Sequence, residues 1–170
     1  MSAPARLSRS LPTTPVLVLA LLLAAWPPLY AAAVRWMLER TMRRLRDGDM
    51  GPLRAAYADD VHFVFPGEST WTADLRGKEA VSAWVARFVR VGLQLTPEQI
   101  LVAGPPWDTT VVIRFTDQLI LPDGATVYEN RGTMVCTIAW GKLKAYTVHE
   151  DTQKVAAFDA YLAVHEPPAP

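Results

Sequence analysis

The stretch KLKAYTVHEDTQK, residues 142–154, combines strand-like alternation with three consecutive ionisable groups, His149, Glu150 and Asp151. A carboxylate at the mouth of an apolar cavity has its pKa raised by desolvation, and it can then act as a general acid or base. A histidine titrates near neutral pH and can couple to such a carboxylate. Asp151 and His149 are therefore the candidate catalytic residues, with Asp151 transferring the proton and His149 tuning it.

Side-chain alternation along this strand decides which of the groups face the interior. With Lys142 and Lys144 toward water and no bulge, the alternation predicts that His149 and Asp151 face the core. Glu150 then lies on the other face. A second role stays open for Asp151, because Asp is a favoured N-cap and a helix could begin at DTQKVAAF.

One amide and four aromatic residues are the candidate ligand-binding groups. Asn130 shares the predicted inward face of its strand, where it could orient a ligand or serve as a hydrogen-bonded core amide. Asp117 shares a face with apolar residues of the preceding strand, and we interpret it as a strand-end residue. The aromatic residues could line an apolar cavity, with ordinary packing as the alternative: Phe63, Phe65, Trp84 and Trp140.

The sequence gives no support for a metal site or a cofactor. The three histidines and the single cysteine, Cys136, lack the spacing of metal ligands. No glycine-rich phosphate loop, nucleophile elbow or basic stripe is present. The formal net charge is zero, which gives no general reason for binding nucleic acid. We therefore predict no metal, no cofactor and no nucleic-acid partner.

The N-terminal segment is apolar, with no charged residue from Leu11 to Val34 and an aliphatic run at 16–25. Its length suits a membrane helix, which needs about 20 apolar residues. Arg6, Arg9 and the small residues at 31–33 also fit a signal peptide. More arginines follow the segment than precede it, which favours an uncleaved single-pass anchor with the following domain cytoplasmic. Secretion after signal cleavage is the alternative, and an apolar helix packed on protein is a third.

The rest of the chain predicts helices followed by strands. Apolar residues at helical spacing predict helices at about 31–47 and 78–91, with a short helix at GPLRAAYA between them. Alternation predicts a strand at DDVHFVFPG and then an antiparallel meander of four strands, ending with KLKAYTVHED. This order predicts an α+β fold. We divide the chain into residues 1–33 (anchor or signal), 34–164 (folded domain) and 165–170 (disordered tail).

Three stretches in succession resemble the SnoaL-like branch of the nuclear transport factor 2-like superfamily, over about residues 33–163: DGDMGPLRAAYADDVHFVFPG, LRGKEAVSAWVARF and YENRGTMVCTIAWGKLKAYTVHEDT. The resemblance implies a cone, in which a strongly curved antiparallel sheet wraps around about three helices and encloses an apolar cavity. It also implies a homodimer. Members include polyketide cyclases, ketosteroid isomerases, epoxide hydrolases and proteins without a known reaction, so the fold alone does not give the function.

The resemblance also bears on the candidate site. In ketosteroid isomerase-like members a base aspartate precedes the Pro-Gly that ends the first strand, and Phe65, which cannot take a proton, stands there. In SnoaL-like cyclases an aspartate near the end of the last strand is the acid–base group, and Asp151 falls in that region. We therefore expect binding of a small, mostly apolar molecule, such as a polyketide, steroid or terpenoid, with general acid–base catalysis. The alternative is a non-catalytic ligand-binding or dimerisation module.

Overall fold

The computed structural model describes residues 13–166 and 168, with side chains from Trp26 onward. The helices in this part of the chain are α1 (Thr13–Arg46), α2 (Gly51–Ala56), α3 (Lys78–Val91) and α4 (Thr152–His165). The strands are β1 (Tyr57–Phe65), β2 (Ala73–Arg76), β3 (Gln94–Ala103), β4 (Thr109–Ile120), β5 (Thr126–Ala139) and β6 (Lys142–Glu150). The predicted α+β class is confirmed. The predicted domain boundaries near residues 33 and 164 stay predictions.

The six strands form one sheet in the order β2-β1-β6-β5-β4-β3. All neighbours are antiparallel except β1 and β6, which are parallel, so the prediction of a purely antiparallel sheet is wrong. The strands from β3 to β6 are joined by short connections, so each strand runs antiparallel to the one before it. No such turn links β1 to β6, because β2, α3, β3, β4 and β5 lie between them in the chain. The sequence predicts no strand at β2, since its four residues are too few to establish a period.

In helix α3, the spacing of apolar residues in the sequence determines which side of the helix is buried. Val81, Val85 and Phe88 recur at helical spacing and are buried on one side, where the helix contacts β1 and β2. Burial of each such side chain contributes about 1.5–3 kcal/mol. The helix ends at Gly92, whose left-handed backbone lets its N–H bond to the carbonyls of the last turn. The predicted helix at 78–91 is confirmed.

Part of helix α1 packs on protein, although Trp26, Leu29 and Trp36 are exposed. Val34 is buried, Leu38 and Met42 pack against the core, and Tyr30 hydrogen-bonds to Thr109 on β4. Among the described side chains, no helix is long and apolar enough to cross a bilayer. This finding contradicts the predicted single-pass anchor and the membrane localisation drawn from it. The aliphatic run at 16–25 lies outside the described side chains.

A two-residue turn, Trp140-Gly141, joins β5 to β6. Both residues have positive φ, 51° and 74°, as in a type I′ hairpin turn. A bulky L-residue rarely adopts this conformation, because its Cβ crowds the backbone. The Trp140 N–H bonds to the Pro106 carbonyl at 2.7 Å, and its ring lies 5.9 Å from that of Trp107. These contacts hold the turn in its strained geometry.

We predict that Trp140→Gly gives a more stable protein than Trp140→Ala, by about 1 kcal/mol, because glycine takes positive φ without strain. Both variants lose the contact with Trp107, so the difference in stability between them reports the cost of positive φ at position 140. Urea denaturation of the two variants measures the difference. The same pair of substitutions at Trp107, where φ is not positive, should not favour glycine. Equal stability of the two Trp140 variants would contradict the prediction.

Candidate functional site

A cavity of about 580 Å³ lies between the sheet and the helices. Pockets for small molecules span about 300–1,000 Å³ and are mostly apolar. The walls here are largely aromatic and aliphatic, and they include Phe63, Phe65, Trp71, Trp84, Phe115 and Phe158. The cavity is therefore large enough, and apolar enough, for a small organic molecule.

Three of the aromatic residues predicted from the sequence meet in one wall of this cavity. The ring of Trp84 lies 4.6 Å from that of Phe63 and 5.7 Å from that of Phe65. Its indole N–H donates to the Trp71 carbonyl at 3.0 Å, which fixes the ring. The fourth, Trp140, lies in the exposed β5–β6 turn and does not line the cavity. The prediction that Trp140 contacts a ligand therefore has no geometric support.

The prediction of which β6 side chains point into the cavity is wrong, because the strand contains a bulge. One extra residue, Lys144, interrupts the pairing of β6 with β5. An extra residue shifts the alternation, so every later side chain changes face. Leu143 lines the cavity before the bulge, and Tyr146 and Glu150 line it afterwards. His149, predicted to face inward, is exposed.

Asp151 takes the structural role that the sequence left open. Its carboxylate accepts hydrogen bonds from the backbone N–H groups of Gln153 and Lys154, at 3.0 and 3.4 Å, and so caps α4. The residue is exposed and does not line the cavity. The predicted catalytic pair of Asp151 and His149 therefore does not meet a ligand in this cavity.

Glu150 brings a carboxylate to the cavity in place of Asp151. Its Oε2 accepts hydrogen bonds from the Tyr128 hydroxyl and the Asn130 amide, both at 3.1 Å. The Asn130 amide also donates to the Asp151 carbonyl at 3.1 Å. Asn130 faces inward as predicted, but it lies behind the cavity wall, where it positions Glu150.

Asp117 is a second carboxyl group at the same end of the cavity. It pairs across the sheet with Asn130, is only 4% exposed and lines the cavity. Its Oδ1 is buried and has no hydrogen-bond partner among the described residues. The sequence already indicated that Asp117 points inward, because it continues the inward face of Val111, Ile113 and Phe115. We instead interpreted it as a strand end.

The two carboxyl groups have different surroundings, and these set their protonation. Burial raises the pKa of Asp117 well above its ordinary value, and the nearby Glu150 charge raises it further. Burial also raises the pKa of Glu150, but the hydrogen bonds from Tyr128 and Asn130 oppose this shift. Asp117 is therefore the group that holds a proton, and Glu150 is the one favoured as a carboxylate.

Two tyrosine hydroxyls and a thiol at the cavity remain neutral, whereas the guanidinium groups of Arg40 and Arg46, which also line it, are charged. The hydroxyls of Tyr57 and Tyr146 hydrogen-bond to each other at 2.9 Å, and burial raises the pKa of Tyr57 to about 12. Burial likewise raises the pKa of the Cys136 thiol to about 12, so it is not a thiolate nucleophile. Among the described residues, no group of three His, Cys, Asp or Glu side chains could hold a metal ion.

Gly132 makes room for the site on β5. A Cβ at this position would lie 2.6 Å from Phe115 Cζ, 2.7 Å from Glu150 Cγ and 2.8 Å from the His149 carbonyl oxygen. Because one of these atoms is backbone, rotamer changes alone cannot relieve the clash. Glycine therefore lets Glu150 lie flat against β5, within reach of Asn130.

We predict that the difference in Tm between Asp117→Asn and the parent protein grows as pH rises from 4 to 8. The folded protein keeps a proton on Asp117 that the unfolded chain releases above its ordinary pKa, so ionisation disfavours folding as pH rises. Asparagine does not titrate, so the variant does not lose stability in this way as pH rises. A chain of this size gains about 2–4 °C in Tm per kcal/mol. Thermal unfolding across this pH range measures the difference.

The matched control is Asp108→Asn, which neutralises an exposed aspartate. Its difference in Tm from the parent protein should be nearly constant across the same pH range. A constant difference for Asp117→Asn as well would contradict a raised pKa at Asp117.

We predict that Gly132→Ala destabilises the fold by about 1–3 kcal/mol, because the added methyl overfills the space between Phe115 and Glu150. Chemical denaturation measures the loss. Thr133→Ala, on the opposite face of the same strand, is the control and should change stability less. Unchanged stability of Gly132→Ala would show that the close approach of Glu150 is not required.

Several solved structures share this fold. Bal32a, from a soil-derived mobile gene cassette, is 19% identical, with a TM-score of 0.60 over 76% of this chain and 98% of its own. RV0760c from Mycobacterium tuberculosis, in complex with estradiol-17beta-hemisuccinate, is 21% identical, with a TM-score of 0.57 over 69% and 93%. An LEH-like epoxide hydrolase from the same organism is 19% identical, with a TM-score of 0.56 over 79% and 97%. At these identities the similarity shows the fold alone.

Sequence comparison gives the family directly. No curated protein matches the chain. The sequence pattern of the SnoaL-like domain matches residues 38–146, which is more than half of the chain. These residues run from the middle of α1 to Tyr146 in the cavity wall. The chain therefore belongs to the SnoaL-like domain family, with a nuclear transport factor 2-like fold.

Proposed function

We propose that this protein binds a small, mostly apolar molecule in its cavity, where Asp117 donates a proton to the ligand and Glu150 accepts one. The observation that carries the proposal is the buried Asp117 carboxyl, which lies beside Glu150 in a largely apolar cavity and whose Oδ1 has no hydrogen-bond partner among the described residues. None of the ion pairs among the described residues includes Asp117 or Glu150. Burying such groups opposes folding, so their presence favours a functional role.

The unequal surroundings of the two groups support separate acid and base roles. Two titratable groups whose pKa values are pushed apart can serve as acid and base together. Glu150, whose carboxylate accepts hydrogen bonds from Tyr128 and Asn130, removes a proton from a ligand carbon. Asp117 donates its proton to the neighbouring oxygen of the ligand. Return of the proton from Glu150 to a second carbon, and of the oxygen's proton to Asp117, completes an isomerisation and restores both groups.

The relatives support the class of ligand. One is in complex with a steroid hemisuccinate, and another is described as an epoxide hydrolase. The steroid skeleton in the first complex fits a cavity that takes a mostly apolar molecule. The predicted homodimer stays a prediction, and the proposed chemistry uses residues of one chain.

We expect the protein to bind 5-androstene-3,17-dione and to move its double bond into conjugation with the 3-ketone. Glu150→Gln should lower kcat/KM by about 10²–10⁴-fold, because loss of a general base has effects of this size. Asp117→Asn should lower it as well, since the acid proton is lost. The increase in ultraviolet absorbance of the conjugated ketone follows the reaction. The rate should fall at high pH, where Asp117 ionises, and at low pH, where Glu150 becomes protonated.

The control is His149→Gln, which changes an exposed residue outside the cavity and should leave the rate unchanged. Full activity in Glu150→Gln would overturn the assignment of the base. Binding without turnover in the parent protein would favour the non-catalytic ligand-binding alternative. Absence of binding would contradict the proposed function as a whole.

A further inference from the structure

The cavity reaches solvent mainly along helix α1. The lining residues that are exposed are Trp36, Met37, Arg40 and Arg46 on α1, Ala55 on α2, and Gly141 in the β5–β6 turn. The other residues that line the cavity are buried or half-buried. These exposed residues therefore form the entrance, through which a ligand passes between water and the apolar interior.

The charge at the entrance is positive. Arg40 and Arg46 carry guanidinium groups that stay protonated at any physiological pH. Among the described residues, the acidic groups that line the cavity are Asp117, which is buried, and Glu150, which is half-buried, and neither belongs to the entrance. The exposed Glu39, which precedes Arg40 in the chain, does not line the cavity. An anionic group of a ligand is thus attracted at the entrance and repelled by the Glu150 carboxylate inside.

No acidic side chain in the described part of the chain neutralises these two arginines, because none of the ion pairs there includes either of them. The Arg40 guanidinium carbon lies 5.6 Å from the centroid of the Trp36 ring. A stacked guanidinium keeps its N–H donors at its edge, where an acceptor can reach them. Arg46 Nη1 donates to the neutral Thr96 Oγ1 at 3.4 Å, a contact that does not compensate its charge.

Arg87 shows how this protein neutralises an arginine that has no anion to bind. Its guanidinium stacks over the Trp71 ring, 4.0 Å from the centroid, in the same type of contact that Arg40 makes with Trp36. Glu166 also pairs with Arg87 at 2.8 Å. Arg40 has the ring without the carboxylate, so the position of that carboxylate is open to a ligand.

The apolar walls determine how a charged ligand would lie. Moving an ionised group into apolar surroundings without a partner costs far more than leaving it at the entrance. An arginine binds a carboxylate, sulfate or phosphate through two parallel hydrogen bonds. We propose that the ligand is an amphipathic acid, whose apolar body fills the cavity and whose anionic group is bound by Arg40 at the entrance, with Arg46 adding positive charge. This inference rests on the proposed function and specifies its ligand.

Two probes that differ only in charge test this arrangement: 3-oxo-4-androstene-17β-carboxylic acid and its 17β-carboxamide. Calorimetric titration of the full chain at pH 7 measures each Kd. We expect the acid to bind about fivefold to tenfold more tightly than the amide, because hydrogen bonds to an ionised acceptor are stronger, although water at the entrance weakens them. Raising NaCl from about 50 to about 500 mM should reduce this preference by screening and leave the amide's affinity unchanged.

Three variants assign the preference to its residues. Arg40→Gln should lower the affinity for the acid about fivefold and leave that for the amide unchanged, which shows that the cavity is intact. Arg46→Gln should have a smaller effect of the same kind, and the double variant should bind both probes equally. Arg35→Gln is the control, because Arg35 is exposed on the same helix but does not line the cavity.

The outcomes separate this inference from the proposed function. Equal affinity of the parent protein for the acid and the amide would overturn recognition of an anionic group, while leaving the cavity as a binding site for apolar molecules. A preference for the acid that survives in the double variant would also overturn the inference, because other groups would then be responsible. If neither probe binds, the proposed function fails together with the inference.

Discussion

The bulge at Lys144 fixes which residues of β6 meet the cavity. Side chains alternate along a strand, so one extra residue moves every later side chain to the other face. Tyr146, Val148 and Glu150 thereby enter the cavity, and His149 turns to solvent. The parallel pairing of β1 with β6 then holds the aromatic wall against these residues, since Phe63 pairs with Tyr146. The polar end of the cavity and its aromatic wall both depend on this register.

At the polar end of the cavity, the side chain of Asn130 connects several other residues through hydrogen bonds. Its amide donates to Glu150 and to the Asp151 carbonyl, where β6 passes into α4. Asp151 caps that helix, and Phe158 on the helix stacks on Tyr128 at 4.3 Å. The carboxylate of Glu150 is thus held by groups that are themselves fixed by the core. Asp117, whose Oδ1 has no hydrogen-bond partner among the described residues, is the group left to meet a ligand.

Local patterns in the sequence predicted much of the fold and part of the site. The helical stripe of α3 and the alternation of Phe63 and Phe65 in β1 are properties of short segments, so they could be read correctly. The bulge in β6 and the parallel β1–β6 pairing depend on contacts between distant segments, which no local period records. The ionisable residues at the end of β6 were therefore found in the right place, but His149 and Glu150 were assigned to the wrong faces. Asp117 was discernible, because it continues an apolar face on which a carboxyl is unusual.

The stacking of Arg87 on Trp71 links the cavity wall to the residue that follows α4. Arg87 joins the cavity wall to Glu166, which lies just beyond α4. A ligand that packs on Trp71 and favours its present position also favours the ion pair between Arg87 and Glu166. Linkage is reciprocal, so formation of this ion pair then favours ligand binding by the same free energy. The last turn of the final helix is thereby an energetic partner of the cavity, although the cavity itself does not include it.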